Sequence, residues 1–175
     1  MTSVFKNTAL AIFSAALSLS ASAVWAQTHQ HAHPQGQSKA STQRTVLPFD
    51  EKSWAHALHH GPRPAAYLFT TSYCSTCPAA FAVLHKAVQQ RKDKPELNAV
   101  MMDVAGPQAL RHASHFKGMS QMYAFEGFEP AIRQAVDPAW PNVTPYVVLV
   151  DAKGQTQRVI GPPTPVMLKR WLSPA

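Results

Sequence analysis

A chain of 175 residues, 46% of them hydrophobic, with a net charge of +7 and two cysteines, rules out several classes at once. It is long enough for one domain with a real core and too poor in cysteine for a small disulfide-stapled scaffold. Its Lys and Arg are scattered, and the densest cluster, Arg91-Lys92-Asp93-Lys94, contains an acid and sits at a predicted helix end; this is a solvated face rather than a nucleic-acid stripe.

The N-terminus reads as an export signal. Lys6 supplies a positive charge, and residues 8–21 are apolar or small without a charge. Small residues place cleavage after Ala26, with Ala23 as an alternative site. The apolar run falls short of the about 20 residues of a membrane span, so the signal is favoured over an uncleaved anchor. Residues 27–45 are polar, carry His29, His31 and His33, and read as a disordered linker. Those histidines can bind a metal ion weakly or be incidental to a soluble tail.

The folded part is expected over residues 46–175. Trp54, Ala55, Ala57 and Leu58 recur at helical spacing in residues 50–60, and Gly61-Pro62-Arg63-Pro64 ends that helix. Residues 65–70 form a short apolar run suited to a buried strand. A loop with both cysteines follows, then a helix over 78–90 with Pro at its first turn and Phe81, Leu84 and Val88 on one face. A second buried strand is expected over 97–104, a helix over 107–116, a strand over 120–125 and a short helix over 129–136. Residues 146–150 are the most apolar strand, and Asp151-Ala152-Lys153-Gly154 turns the chain back into a strand over 155–160. Thr164-Pro165 caps a last helix running through Leu172. Early alternation gives parallel strands and the late hairpin an antiparallel edge, so the fold class is α/β: a mixed central sheet with helices on both faces.

The chemistry concentrates at Tyr73-Cys74-Ser75-Thr76-Cys77-Pro78. A bridge across two residues removes little chain entropy, so this pair is a poor structural staple. Between a buried strand and an amphipathic helix, Cys74 is placed at a helix N-terminus, where the dipole and free amides stabilise a thiolate. Cys74 is therefore the expected nucleophile and the more shielded Cys77 the resolving thiol. A zinc site needs two further ligands; His112 and His115, spaced i, i+3, are the pair on hand, and the strand-to-helix position favours redox over zinc. Thr144-Pro145 precedes the strongest strand. Pro fits only a strand's start, and the bond can be trans or cis; a cis bond turns the Thr144 backbone towards the cysteines, where it can pair with an extended peptide.

These motifs, with Asp151-Ala152-Lys153-Gly154-Gln155 and the terminal helix, resemble the thioredoxin superfamily over residues 46–172. The extra strand and helix over 120–136 and the run Val136-Asp137-Pro138-Ala139-Trp140 resemble its exported TlpA-like branch. The resemblance implies a cis Pro145 facing the dithiol, with Thr144, Pro145 and Tyr73 contacting the partner chain. It also implies thiol–disulfide exchange without a cofactor or metal ligand, between an exported client protein and a membrane or periplasmic redox partner. Tyr73 stands where the superfamily usually has Trp, and Leu68 where thioredoxins bury an Asp, leaving no obvious proton acceptor for Cys77. Residues 69–74 with Cys77-Pro78 also resemble the Sco-type copper chaperones, though those carry three residues between the cysteines and a ligand His where this chain has Asn142-Val143-Thr144-Pro145. Copper binding by the two cysteines plus His is thus the alternative expectation.

Overall fold

Residues 45–175 are described by the structure, a computed structural model. The export signal and the His-rich segment expected in residues 1–44 lie outside the described residues. In chain order the elements are β1 (Val46–Phe49), α1 (Ser53–His60), β2 (Ala65–Thr70), α2 (Cys77–Val88), β3 (Glu96–Met101) and α3 (Gly106–Leu110). A 3-10 turn over Ala113–His115 leads to β4 (Gln121–Phe125), α4 (Glu129–Val136), β5 (Tyr146–Val150), β6 (Thr156–Ile160) and α5 (Pro165–Trp171).

The strands form one sheet in the order β1-β4-β3-β2-β5-β6. The first four run parallel, and β5 and β6 are antiparallel additions. This mixed sheet with a late hairpin is the thioredoxin-like arrangement expected. Every residue of β2 and β5 is buried, as continuous apolar runs require when both faces are covered. On one face α2 and α5 pack Phe81, Leu84 and Trp171 against Leu68, Ala99 and Leu149. On the other, α1 and α4 pack Trp54, Ile132 and Val136 against Phe69, Val100 and Val148. Trp171 is fully buried, and its indole N–H donates to the carbonyls of Ala65 and Val150, 3.0 Å each. Those two residues are register partners, so one side chain closes the β2–β5 pair at the end away from the cysteines.

Four differences from the expected elements have physical causes. Strand β1 is additional; it has four residues, contains Pro48 and exposes Leu47, which an outer edge tolerates. Helix α1 starts at Ser53 because Asp50 and Ser53 cross-bond ahead of it: Asp50 Oδ1 accepts from the Ser53 amide and hydroxyl, and Ser53 Oγ accepts from the Asp50 amide. The Ser53 hydroxyl holds the Asp50 carboxyl below its usual pKa. Strand β3 stops at Met101 because Asp103 turns to bind Ser72. The helix expected over 107–116 ends at Leu110, and the chain tightens into the 3-10 turn carrying His115.

Candidate active site

The C-terminal end of β2 delivers the dithiol. The Thr70 carbonyl accepts from the Met102 amide at 2.9 Å, fixing the strand against β3 to its last residue. Beyond it, Asp103 accepts from the Ser72 amide at 2.9 and 3.0 Å and from its hydroxyl at 2.5 Å. This carboxylate ties the start of the cysteine loop to the loop after β3. Cys74 and Cys77 form a disulfide with a Cα–Cα distance of 5.5 Å. Their surroundings differ sharply: Cys77 is 0% exposed in the core beside Leu68 and Phe81, whereas Cys74 is half-buried and Tyr73 next to it is 78% exposed.

Cys74 lies just before α2, in the loop expected to carry the cysteines. The helix begins at Cys77, with Thr76 at its cap and Pro78 in the first turn. The Cys74 amide donates to the Thr71 carbonyl at 3.2 Å, and its carbonyl accepts from the Cys77 amide at 3.3 Å. Pro has no N–H and fits only where a helix needs none, so the helix cannot usefully donate through residue 78. Cys74 thus occupies the tight turn before α2, and the Thr76 hydroxyl lies 3.9 Å from its Sγ.

A groove of about 450 Å³ opens on Cys74. Thr70, Tyr73, Ser75 and Pro78 line one part of it, and His112, His115 and Phe116 the other. The two imidazole rings lie 5.9 Å apart. Phe116 packs edge-on against Phe81 at 5.3 Å, which anchors the His-bearing turn to α2.

The Thr144–Pro145 bond is cis. Tyr146 pairs with Phe69, so this dipeptide lies at the same end of the sheet as the dithiol loop, although neither residue lines the Cys74 groove. The loop leading to it is held by aromatic packing. Trp140 stacks on Tyr146 at 4.3 Å, meets Phe69 edge-on at 4.9 Å and donates from Nε1 to the Val143 carbonyl at 3.2 Å. Arg133 lies over the Trp140 ring at 5.5 Å and donates to Glu129 and Asn142. The Tyr146 hydroxyl donates to Asp137. Burial works against the Asp137 charge, but the Tyr146 hydroxyl, the Ala139 amide and Arg158 outweigh it and hold this carboxyl below its usual pKa. Burial, then the bond to Asp137, pushes the Tyr146 phenol up.

The structure therefore joins Cys74, Cys77 and Tyr73 in one site, and brings Thr144 and Pro145 to the same sheet end. Leu68, fully buried, confirms that no carboxylate occupies that core position. Sequence reading weighed His112 and His115 only as zinc ligands and missed Asp103. Both lie in the segment after β3, and in parallel sheets adjacent strand ends bring their following loops together. Among the described residues no three His, Cys, Asp or Glu side chains are placed to hold a metal ion.

No protein-family model matches the sequence, and no curated protein does either. Sixteen chains of solved structures match by structure. Among them are MTB DsbF in mixed oxidised and reduced forms (16% identity, TM-score 0.47, covering 62% of this chain and 78% of that one) and the thioredoxin domain of a thiol–disulfide oxidoreductase from Bacteroides vulgatus (16%, 0.47, 62% and 75%). A third is a secreted Mycobacterium tuberculosis disulfide oxidoreductase homologous to E. coli DsbE (16%, 0.43, 62% and 76%).

Proposed function

We propose that the chain is a periplasmic thiol–disulfide oxidoreductase acting on exported client proteins through Cys74 and Cys77. The observation that carries this is the asymmetry of the pair: one sulfur opens on a groove at the end of β2 and the other is sealed in the core. A structural staple gains nothing from that arrangement, whereas exchange needs one accessible attacker and one shielded resolver. Written in the reductive direction, the Cys74 thiolate attacks a client disulfide. A Cys74–client bond forms and one client thiolate leaves. Cys77 then attacks Cys74, forming the internal disulfide and releasing the second client thiolate. The reverse sequence oxidises a client. Tyr73 flanks the incoming sulfur, and Thr144 with Pro145 offers backbone to the client chain.

The apolar, Lys6-led start of the chain supports export, and no helix of the described residues is long and apolar enough to cross a membrane. Equilibration with glutathione tests the reading: the Cys74–Cys77 disulfide forms and breaks with a measurable potential. A value near about −270 mV marks a reductant and one near about −120 mV an oxidant. Failure of the pair to interconvert over the accessible range sinks the proposal. Cys77→Ser is expected to accumulate a mixed disulfide at Cys74, and Cys74→Ser none.

A further inference from the structure

We infer that His112 and His115 activate Cys74, handling the proton of the attacking thiol; this rests on the thiol–disulfide reading above. Three observations converge. The groove that opens on Cys74 is lined by His112 and His115 as well as by the cysteine loop. Their rings are 5.9 Å apart, and both residues line that one groove. Leu68, buried in the same core cluster as Cys77, has no proton to give or accept.

The titratable groups lining the groove are Tyr73, Cys74, His112 and His115. Thr70 from β2 and Pro78 from α2 add no charge. The one carboxylate tied to the loop, Asp103, is occupied by three bonds from Ser72. A cationic neighbour lowers a cysteine's pKa, and the histidines are the basic side chains lining this groove. Imidazole changes charge near neutral pH, which suits a proton that must come and go.

The balance is as follows in the reductive direction. The Cys74 proton resides on an imidazole. Thiolate attack forms the Cys74–client bond and breaks the client S–S bond, and the leaving client sulfur takes that proton. Cys77 attacks Cys74 and gives up its proton. The second client sulfur leaves and takes this proton in turn. Two electrons pass from the pair to the client with two protons, and the histidines end unchanged.

The test uses the full chain carrying Cys77→Ala, in which Cys74 is the only thiol, with and without His112→Gln and His115→Gln. Thiolate absorbance is followed against pH, with alkylation rate alongside. The Gln variants are expected to move the Cys74 midpoint up by about one pH unit, leaving about tenfold less thiolate on its acid side, and to slow alkylation to match. His115→Lys, which keeps a positive charge, is expected to recover part of the shift. An unchanged midpoint in a variant with unchanged far-UV dichroism overturns the inference. If the double variant does not fold, His115→Gln alone decides, because His115 is exposed and packs little: a smaller upward shift supports the inference and no shift refutes it. Glutathione equilibration of the unaltered chain is read separately, so the oxidoreductase reading can fail while the titration still judges the histidines.

Discussion

Removing the Trp140 side chain should unmake the loop that presents Thr144 and Pro145. The ring contributes a stack on Tyr146, an edge contact with Phe69, a donor to the Val143 carbonyl and a platform for Arg133, and it is 7% exposed. Truncation of buried Trp to Ala costs about 3–5 kcal/mol; lying at the rim of its cluster, Trp140 belongs at the lower end, about 3 kcal/mol. With a urea slope of about 1.5 kcal/mol per molar, the unfolding midpoint of Trp140→Ala falls by about 2 M. Trp140→Phe separates the contributions: it keeps an aromatic stack and loses the Nε1 donor, so it costs about 1 kcal/mol plus a small packing loss. A drop below about 0.5 M for the Ala variant at unchanged slope would refute the reasoning, since the loop would then be held by something other than this ring.

Tyr146→Phe removes the hydroxyl that favours the Asp137 carboxylate. Asp137 titrates below its usual value in the folded state, so its contribution is present above the unfolded pKa and lost as pH falls through the lower folded one. The stability difference between about pH 6 and about pH 3 should therefore narrow in the variant, and an equal or wider difference in urea titrations contradicts this. Trp171→Phe strips a donor from the Ala65 and Val150 carbonyls and should cost about 1–3 kcal/mol, read as a melting point lower by several degrees. Gly118 has φ +81°, and a Cβ there would meet His85 Nε2 at 2.3 Å. Gly118→Ala should lose about 1–3 kcal/mol, and adding His85→Ala should restore only the part due to crowding; full restoration in a double-mutant cycle would show that the backbone conformation costs nothing.

What could be read from the chain followed the strength of local pattern. The runs at β2 and β5 were legible to the residue because both faces of a central strand are apolar. Thr164 was legible as a cap, and its Oγ1 accepts from the Met167 amide. Elements whose reason is a distant partner were not. Strand β1 exists because β4 has an open edge to pair with, which no property of Val46-Leu47-Pro48-Phe49 announces. Asp103 acts on a residue 31 positions earlier, and the stacking of Trp140 on Tyr146 needs the loop to be folded before it exists. The dithiol was found by its spacing, and the difference in burial between its sulfurs was correctly ordered. The helix expected from residue 78 begins one residue earlier, at Cys77, because a Pro at 78 fits either as a first helical residue or just inside one.

The sealed Cys77 also bears on how the reduced site meets oxidants. If Cys74 is the attacking thiolate proposed above, peroxide reaching the groove would convert it to a sulfenic acid, and the next steps, to sulfinic and sulfonic acid, are not readily undone. Cys77 lies one turn away, held by the core within bonding reach and out of the oxidant's path. The sulfenic acid condenses with it, expelling water and regenerating the disulfide seen in the structure. Under the proposed function, damage by peroxide would thereby be converted into an ordinary oxidised form of the pair, with one buried side chain both the proposed resolving thiol and the safeguard of its neighbour.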